Sequence, residues 1–284
     1  MKADRFAEFV AIDWSGAHGT AHSGIRMARC ARGDAAPRIV APPGRAWSRE
    51  GIAAWLIARR HEPLLVGFDF SFSAPFVERG AHLPGDPATP DARALWAHVE
   101  RSCDDPDLGA RSFLEARRGR HFYLGAADGR KADFLHWRRC EVAVDGTRKP
   151  STVYDAIGAS QVAKASFSGM RLLHRLDGQV AIWPFDPVPP AGMTVVEIYT
   201  AIAARDAGRP RGRSKMRSAE TLDAALLHLG SRAHDPLAVY DDHSTDAILT
   251  AAWLRKVTAR PNLWHPAGLT QQIAQTEGWT FGVA

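Results

Sequence analysis

The run Phe9-Val10-Ala11-Ile12-Asp13-Trp14-Ser15-Gly16 constrains this chain most. Four apolar residues in succession describe a strand covered on both faces, as in the interior of an α/β sheet, rather than a half-solvated strand. The run then meets a carboxylate, with Ser and Gly following closely. Burying an unpaired carboxylate is costly, so an acid in this place calls for a cation or a strong donor nearby. In open α/β sheets the carboxyl ends of strands are where ligands collect. The plainer reading is that Asp13 caps the turn after it. Recurrence favours the first reading, because similar acids return downstream.

Residues 22–31 and 38–41 read as two further strands, joined by a turn at 33–37, which predicts an antiparallel meander. Ser48 is placed to cap a helix in which Ile52, Trp55, Leu56 and Arg59 recur at helical spacing. The run 64–70 (LLVGFDF) is a second fully apolar strand ending on an acid, Asp69. A strand, a crossover helix and a strand predict a right-handed parallel pairing with Asp69 beside Asp13. Helical pieces are expected at 92–101, 133–139 and 219–229, and a longer helix over 151–176, broken near Gly158 and Gly169. Strands are expected at 180–183 and 193–199, the latter carrying Glu197, which a neighbouring arginine could equally satisfy. The tail 261–284 reads as irregular and receives no role.

Residues 71–150 break the rhythm with Pro and Gly and read as an insertion or lid within a single domain spanning 1–284. Between Arg111 and Arg139 eight basic residues face three acids, with aromatics interleaved. That mixture suits phosphate contact and base stacking, and it suits a solvated basic face over a small satellite core equally well. Arg117, Arg118 and Arg120 are the candidates there. The loop 205–217 holds six basic residues against Asp206 and adds Arg211, Arg213 and Lys215. Lys164 is a further candidate phosphate contact, although a lone helical lysine is usually only solvated.

The segment 240–247 (YDDHSTDA) leads into an apolar helix. If the helix begins near Asp242, then Asp242 and Asp246, four apart, point the same way. Alternatively Asp242 or Ser244 is the cap. Two strand-end acids and two helical acids converging on one spot repel one another unless divalent cations bind. Oxygen ligands without cysteine point to Mg²⁺ or Mn²⁺. Two such ions about 3.5–4 Å apart activate water and stabilise the leaving oxygen in phosphodiester cleavage. His243 is a candidate for proton transfer, and also an ordinary structural histidine. Ser15 is better read as satisfying a turn amide, and His18 and His22 are not taken as ligands.

The net charge of +5 leans toward polyanionic partners. Three separated cysteines without a CxxC pair, an N-terminal MKADRFAEF without an apolar signal segment, and no run of membrane-spanning length predict a cytoplasmic protein off the membrane.

In order, VAIDWSGA, VGFDFSFSAP, QVAKASFSGM, AIWPF, VVEIYTA and DDHSTDA resemble the DUF429 family, predicted nucleases with a ribonuclease H-like fold. The resemblance runs from about residue 9 to 255. It implies an α/β fold: a mixed sheet of five or slightly more strands, strands 1 to 3 antiparallel, flanked by helices, with the insertion after the fourth strand. It further implies metal-binding catalytic acids at Asp13, Asp69, Asp242 and Asp246, with Glu197 completing or bordering the site. The expected function is metal-dependent phosphodiester hydrolysis in DNA or RNA, structured or branched. The rivals are a nucleic-acid-binding or regulatory protein of this fold without catalysis, and an actin-like ATP phosphotransferase. The latter is disfavoured because FDFSFSAP lacks Gly after its acid.

Overall fold

The computed structural model of the chain describes residues 5–145, 149–157, 162–210 and 215–284. Three strands open the fold, β1 (Glu8–Asp13), β2 (Arg26–Ala31) and β3 (Arg38–Ile39), followed by α1 (Arg49–Ala58) and β4 (Leu64–Phe68). Next come α2 (Ala92–Arg101), α3 (Arg111–Glu115), α4 (Arg139–Ala143), α5 (Val162–Leu176), β5 (Ala181–Ile182) and β6 (Thr194–Glu197). The chain then runs through α6 (Thr200–Asp206), α7 (Ala219–His228), α8 (Asp242–Val257), α9 (Pro261–Trp264) and α10 (Gln271–Thr276). Among the described residues the strands form one mixed sheet in the order β3-β2-β1-β4-β6-β5. The first three pair antiparallel, and β1–β4, β4–β6 and β6–β5 pair parallel.

Side-chain alternation along the central strands feeds two cores. Val10, Ile12, Val66, Phe68 and Val195 join residues of α1, α2 and α5 on one face. Phe9, Ala11, Leu65 and Val196 join α6, α7 and α8 on the other. This two-sided cover is why β1 and β4 are apolar at successive positions. Helix α8 is buried at each residue from Ser244 to Leu254, and it crosses β1 and β2. The stretch after β4 is packed rather than loose: Leu95, Trp96, Val99, Phe113 and Phe122 lie in the same core as α5. No helix among the described residues is long and apolar enough to cross a membrane.

Several local expectations are corrected. Strand β2 starts at Arg26 rather than at residue 22, because His22 turns away to Asp107, its Nε2 2.8 Å from Oδ2. The expected strands at 38–41, 180–183 and 193–199 shorten to Arg38–Ile39, Ala181–Ile182 and Thr194–Glu197. In the 133–139 piece a short 3₁₀ turn ends at Phe134, and Arg138 is extended because Glu141 draws in both its backbone and its side chain. Of the 151–176 helix only Val162–Leu176 is regular; residues 149–157 are not helical, and Gly158 lies outside the described residues. Gly169 does not break α5. It lets the helix approach the Phe70 ring, where a β-carbon would stand 2.3 Å from Cε2. The tail, expected to be irregular, carries α9 and α10; Trp279 and Phe281 are core residues, and Glu277 accepts from the amides of Phe76, Val77 and Arg139.

In an exposed helix Gly→Ala stabilises by about 1 kcal/mol. At Gly169 the sign reverses, because the methyl group displaces Phe70. Gly169→Ala therefore loses about 1–3 kcal/mol in urea unfolding, and an unchanged or higher midpoint contradicts this packing.

Candidate functional site

The register places the strand-end acids side by side. Ile12 of β1 pairs with Phe68 of β4, so Asp13 and Asp69 follow at one edge, and the Asp69 amide donates to the Ile12 carbonyl at 3.2 Å. The first turn of α8 comes to the same edge. Its cap is Asp241, which accepts from the Ser244 amide at 2.8 Å, rather than Asp242 or Ser244 as the sequence suggested. Asp242 and Asp246 are thereby free for other work. His243 directs Nδ1 to Asp13 Oδ1 at 3.2 Å.

The electrostatics show that three of these carboxylates share one field. Burial pushes the Asp13 carboxyl up, and His243 and Lys215 only partly offset it. Burial raises Asp69 well above the ordinary carboxylate range, and Asp13 and Asp246 raise it further. Burial also pushes Asp246 up to about 6, against the pull of Lys215. The hydrogen bond to Asp13 raises His243.

Cations approach from the helix side. Lys215 Nζ lies 3.0 Å from Asp246 Oδ2 and 3.5 Å from Asp242 Oδ2, and Arg217 Nη2 donates to Asp242 Oδ2 at 3.1 Å. Arg26, paired across the hairpin with Asp13, donates Nε to Ser244 Oγ at 3.2 Å. Among the described residues, no hydrogen bond or ion pair reaches the Asp69 carboxylate, and no three His, Cys, Asp or Glu side chains form a ready metal cage.

Glu197 borders this group and is itself fully engaged. It takes Arg138 bidentately at 2.5 and 2.7 Å, the Phe72 amide at 2.7 Å and the Thr280 hydroxyl at 2.6 Å. This is the satisfied buried glutamate that the sequence left open. The basic candidates are engaged elsewhere: Arg117 and Arg120 both reach Asp86, and Arg118 reaches Asp128 at 2.7 Å. Arg117 also lies 3.7 Å over the ring of Phe113, a residue of the α5 core, while the Arg118 and Arg120 side chains are half exposed. Lys164 lines a cleft of about 630 Å³ beside the Ser15–Gly16 turn. Arg211 and Arg213 lie outside the described residues. Ser15 Oγ accepts the Ala17 amide at 3.2 Å, as read from the sequence.

Arg49 carried no signal in the sequence. Wholly buried, it donates to the Ser15, Ala17 and Asp107 carbonyls at 2.9, 2.6 and 3.0 Å and so fixes the turn beyond Asp13. Compared with protein-family models, curated proteins and solved structures, the chain matches none.

Because its carboxyl is raised in the folded state, Asp69 contributes stability when protonated and loses that contribution as pH rises through the folded value. At pH 8, without divalent ions, Asp69→Asn therefore melts higher than the parent protein. The gain is roughly 2–4 °C per kcal/mol of relieved repulsion and narrows as the pH falls toward the ordinary carboxylate range. A variant that melts lower at pH 8 contradicts the placement of this acid.

Proposed function

We propose that this chain is a divalent-metal-dependent nuclease of the DUF429 kind with a ribonuclease H-like fold, hydrolysing phosphodiester bonds of DNA or RNA. The observation that carries the reading is the pairing of Asp13 and Asp69 at adjacent parallel strand ends, facing the first turn of α8. The donors fit a hard cation: they are carboxylate oxygens, and their mutual repulsion is only partly relieved by protein cations. Asp13 and Asp69 would hold Mg²⁺ or Mn²⁺, with Asp242 and Asp246 of α8 beside them. Such an ion supplies charge stabilisation for phosphoryl oxygens and lowers the pKa of a bound water.

The protein's own groups divide the remaining work. His243, tied to Asp13 through Nδ1, presents a half-exposed ring whose Nε2 can give or take a proton. Arg49 holds the Ser15–Gly16 turn, and Gly16 seats it against the α5 backbone, where a β-carbon would come 2.3 Å from the Ala165 nitrogen. The surplus of positive charge favours attraction of the nucleic-acid backbone. The non-catalytic reading draws support from Lys215 and Arg217, which already neutralise the helical acids.

With Mn²⁺ or Mg²⁺, a panel of single-stranded, duplex and branched DNA and RNA should include a cleaved substrate, and chelation should abolish cleavage. Asp13→Asn and Asp69→Asn should each lower the rate by at least roughly 100-fold, the scale of removing one preorganised electrostatic element. Binding of the panel without cleavage, unaffected by either substitution, decides for the non-catalytic protein.

A further inference from the structure

The four acids of the site are not equivalent. Asp242 and Asp246 share Lys215, at 3.5 and 3.0 Å, and Asp242 also takes Arg217. Asp13 meets only the imidazole of His243, and Asp69 has no ion pair or side-chain hydrogen bond among the described residues. With Lys215 and Arg217 set against the helical pair, the strand pair has only the His243 ring for a protein partner. The strand pair is therefore where a divalent ion is needed, and the helical pair already holds its cation.

We propose that Lys215 stands in the place of a second divalent ion, so that the site binds one Mg²⁺ or Mn²⁺ at Asp13 and Asp69, opposite a fixed ammonium on Asp242 and Asp246. This rests on reading the site as a metal centre. An ammonium is a compact point charge with three donors. One is donated to Asp246 at 3.0 Å, Asp242 lies at ion-pair distance one turn away at 3.5 Å, and donor capacity remains for a phosphoryl oxygen of the substrate. The spacing of Asp242 and Asp246 serves this grip directly, since residues four apart lie on one helical face. Lysine rather than arginine suits the role, because its ammonium is a compact point charge like the ion it replaces, whereas a guanidinium spreads its charge over a planar fork.

The test is the number of ions bound, with Mn²⁺ alone as the probe. Calorimetry should return one ion per chain for the parent protein, and electron paramagnetic resonance should show isolated Mn²⁺ without spin coupling. Lys215→Met, similar in length and uncharged, should take up a second ion and show a coupled pair. Lys215→Arg should stay at one ion, with circular dichroism reporting that each variant folds. Two ions in the parent protein, or a Lys215→Met variant that folds and still binds one, overturns the proposal while leaving the metal centre standing. No Mn²⁺ bound by the parent or by Lys215→Met overturns both.

Discussion

The parallel pairing of β1 with β4 is the constraint on which the rest depends. It aligns Ile12 with Phe68 and therefore obliges Asp13 and Asp69 to emerge together at one edge of a sheet covered on both faces. Two carboxylates so placed disfavour the folded state, and the surrounding structure is arranged around that cost. The first turn of α8 reaches this edge, where His243 faces Asp13 and Lys215 is drawn in against Asp246. The strain is tolerable because α8 is buried over three turns, so packing far from the acids holds its first turn in position.

Much of this was legible in the sequence because it is local or periodic. Apolar runs ending in Asp13 and Asp69, Ser48 as a cap and the helix at 92–101 need only nearest neighbours to be recognised. The antiparallel start of the sheet and the parallel β1–β4 pairing follow from the order of elements and the crossover rule, and the mixed sheet expected with five or slightly more strands has six. What escaped depends on contacts distant along the chain. Gly169 reads as a helix breaker until Phe70 is known to lie against it. Asp241 could not be told from Asp242 and Ser244 as the cap, since all three residue types serve equally. The tail looked irregular because its elements are short and its aromatic residues answer to partners far earlier in the chain.

The arginines show why composition is a blunt guide to partners. Arg49 and Arg138 are fully buried, and Arg117 and Arg171 nearly so. Each is spent on carbonyls or carboxylates within the fold, as a guanidinium can satisfy several acceptors at once. Of these, Arg117 and Arg138 belong to the basic stretch that in the sequence suits phosphate contact. A net charge counts them as though they faced solvent.

The knot around Glu197 joins segments far apart in the sequence. Its members are Arg138, the Phe72 amide, the Glu277 carbonyl and the Thr280 hydroxyl, so residues between 72 and 280 meet at one acid. A buried ion pair needs its remaining acceptors and donors filled, and here residues 277 and 280 fill them. Thr280 also forms an isolated bridge with Glu197 beside β6. The corner next to the acid edge is thus closed like a clasp, one side of it coming from β6 and the other from residues about 80 positions further along the chain.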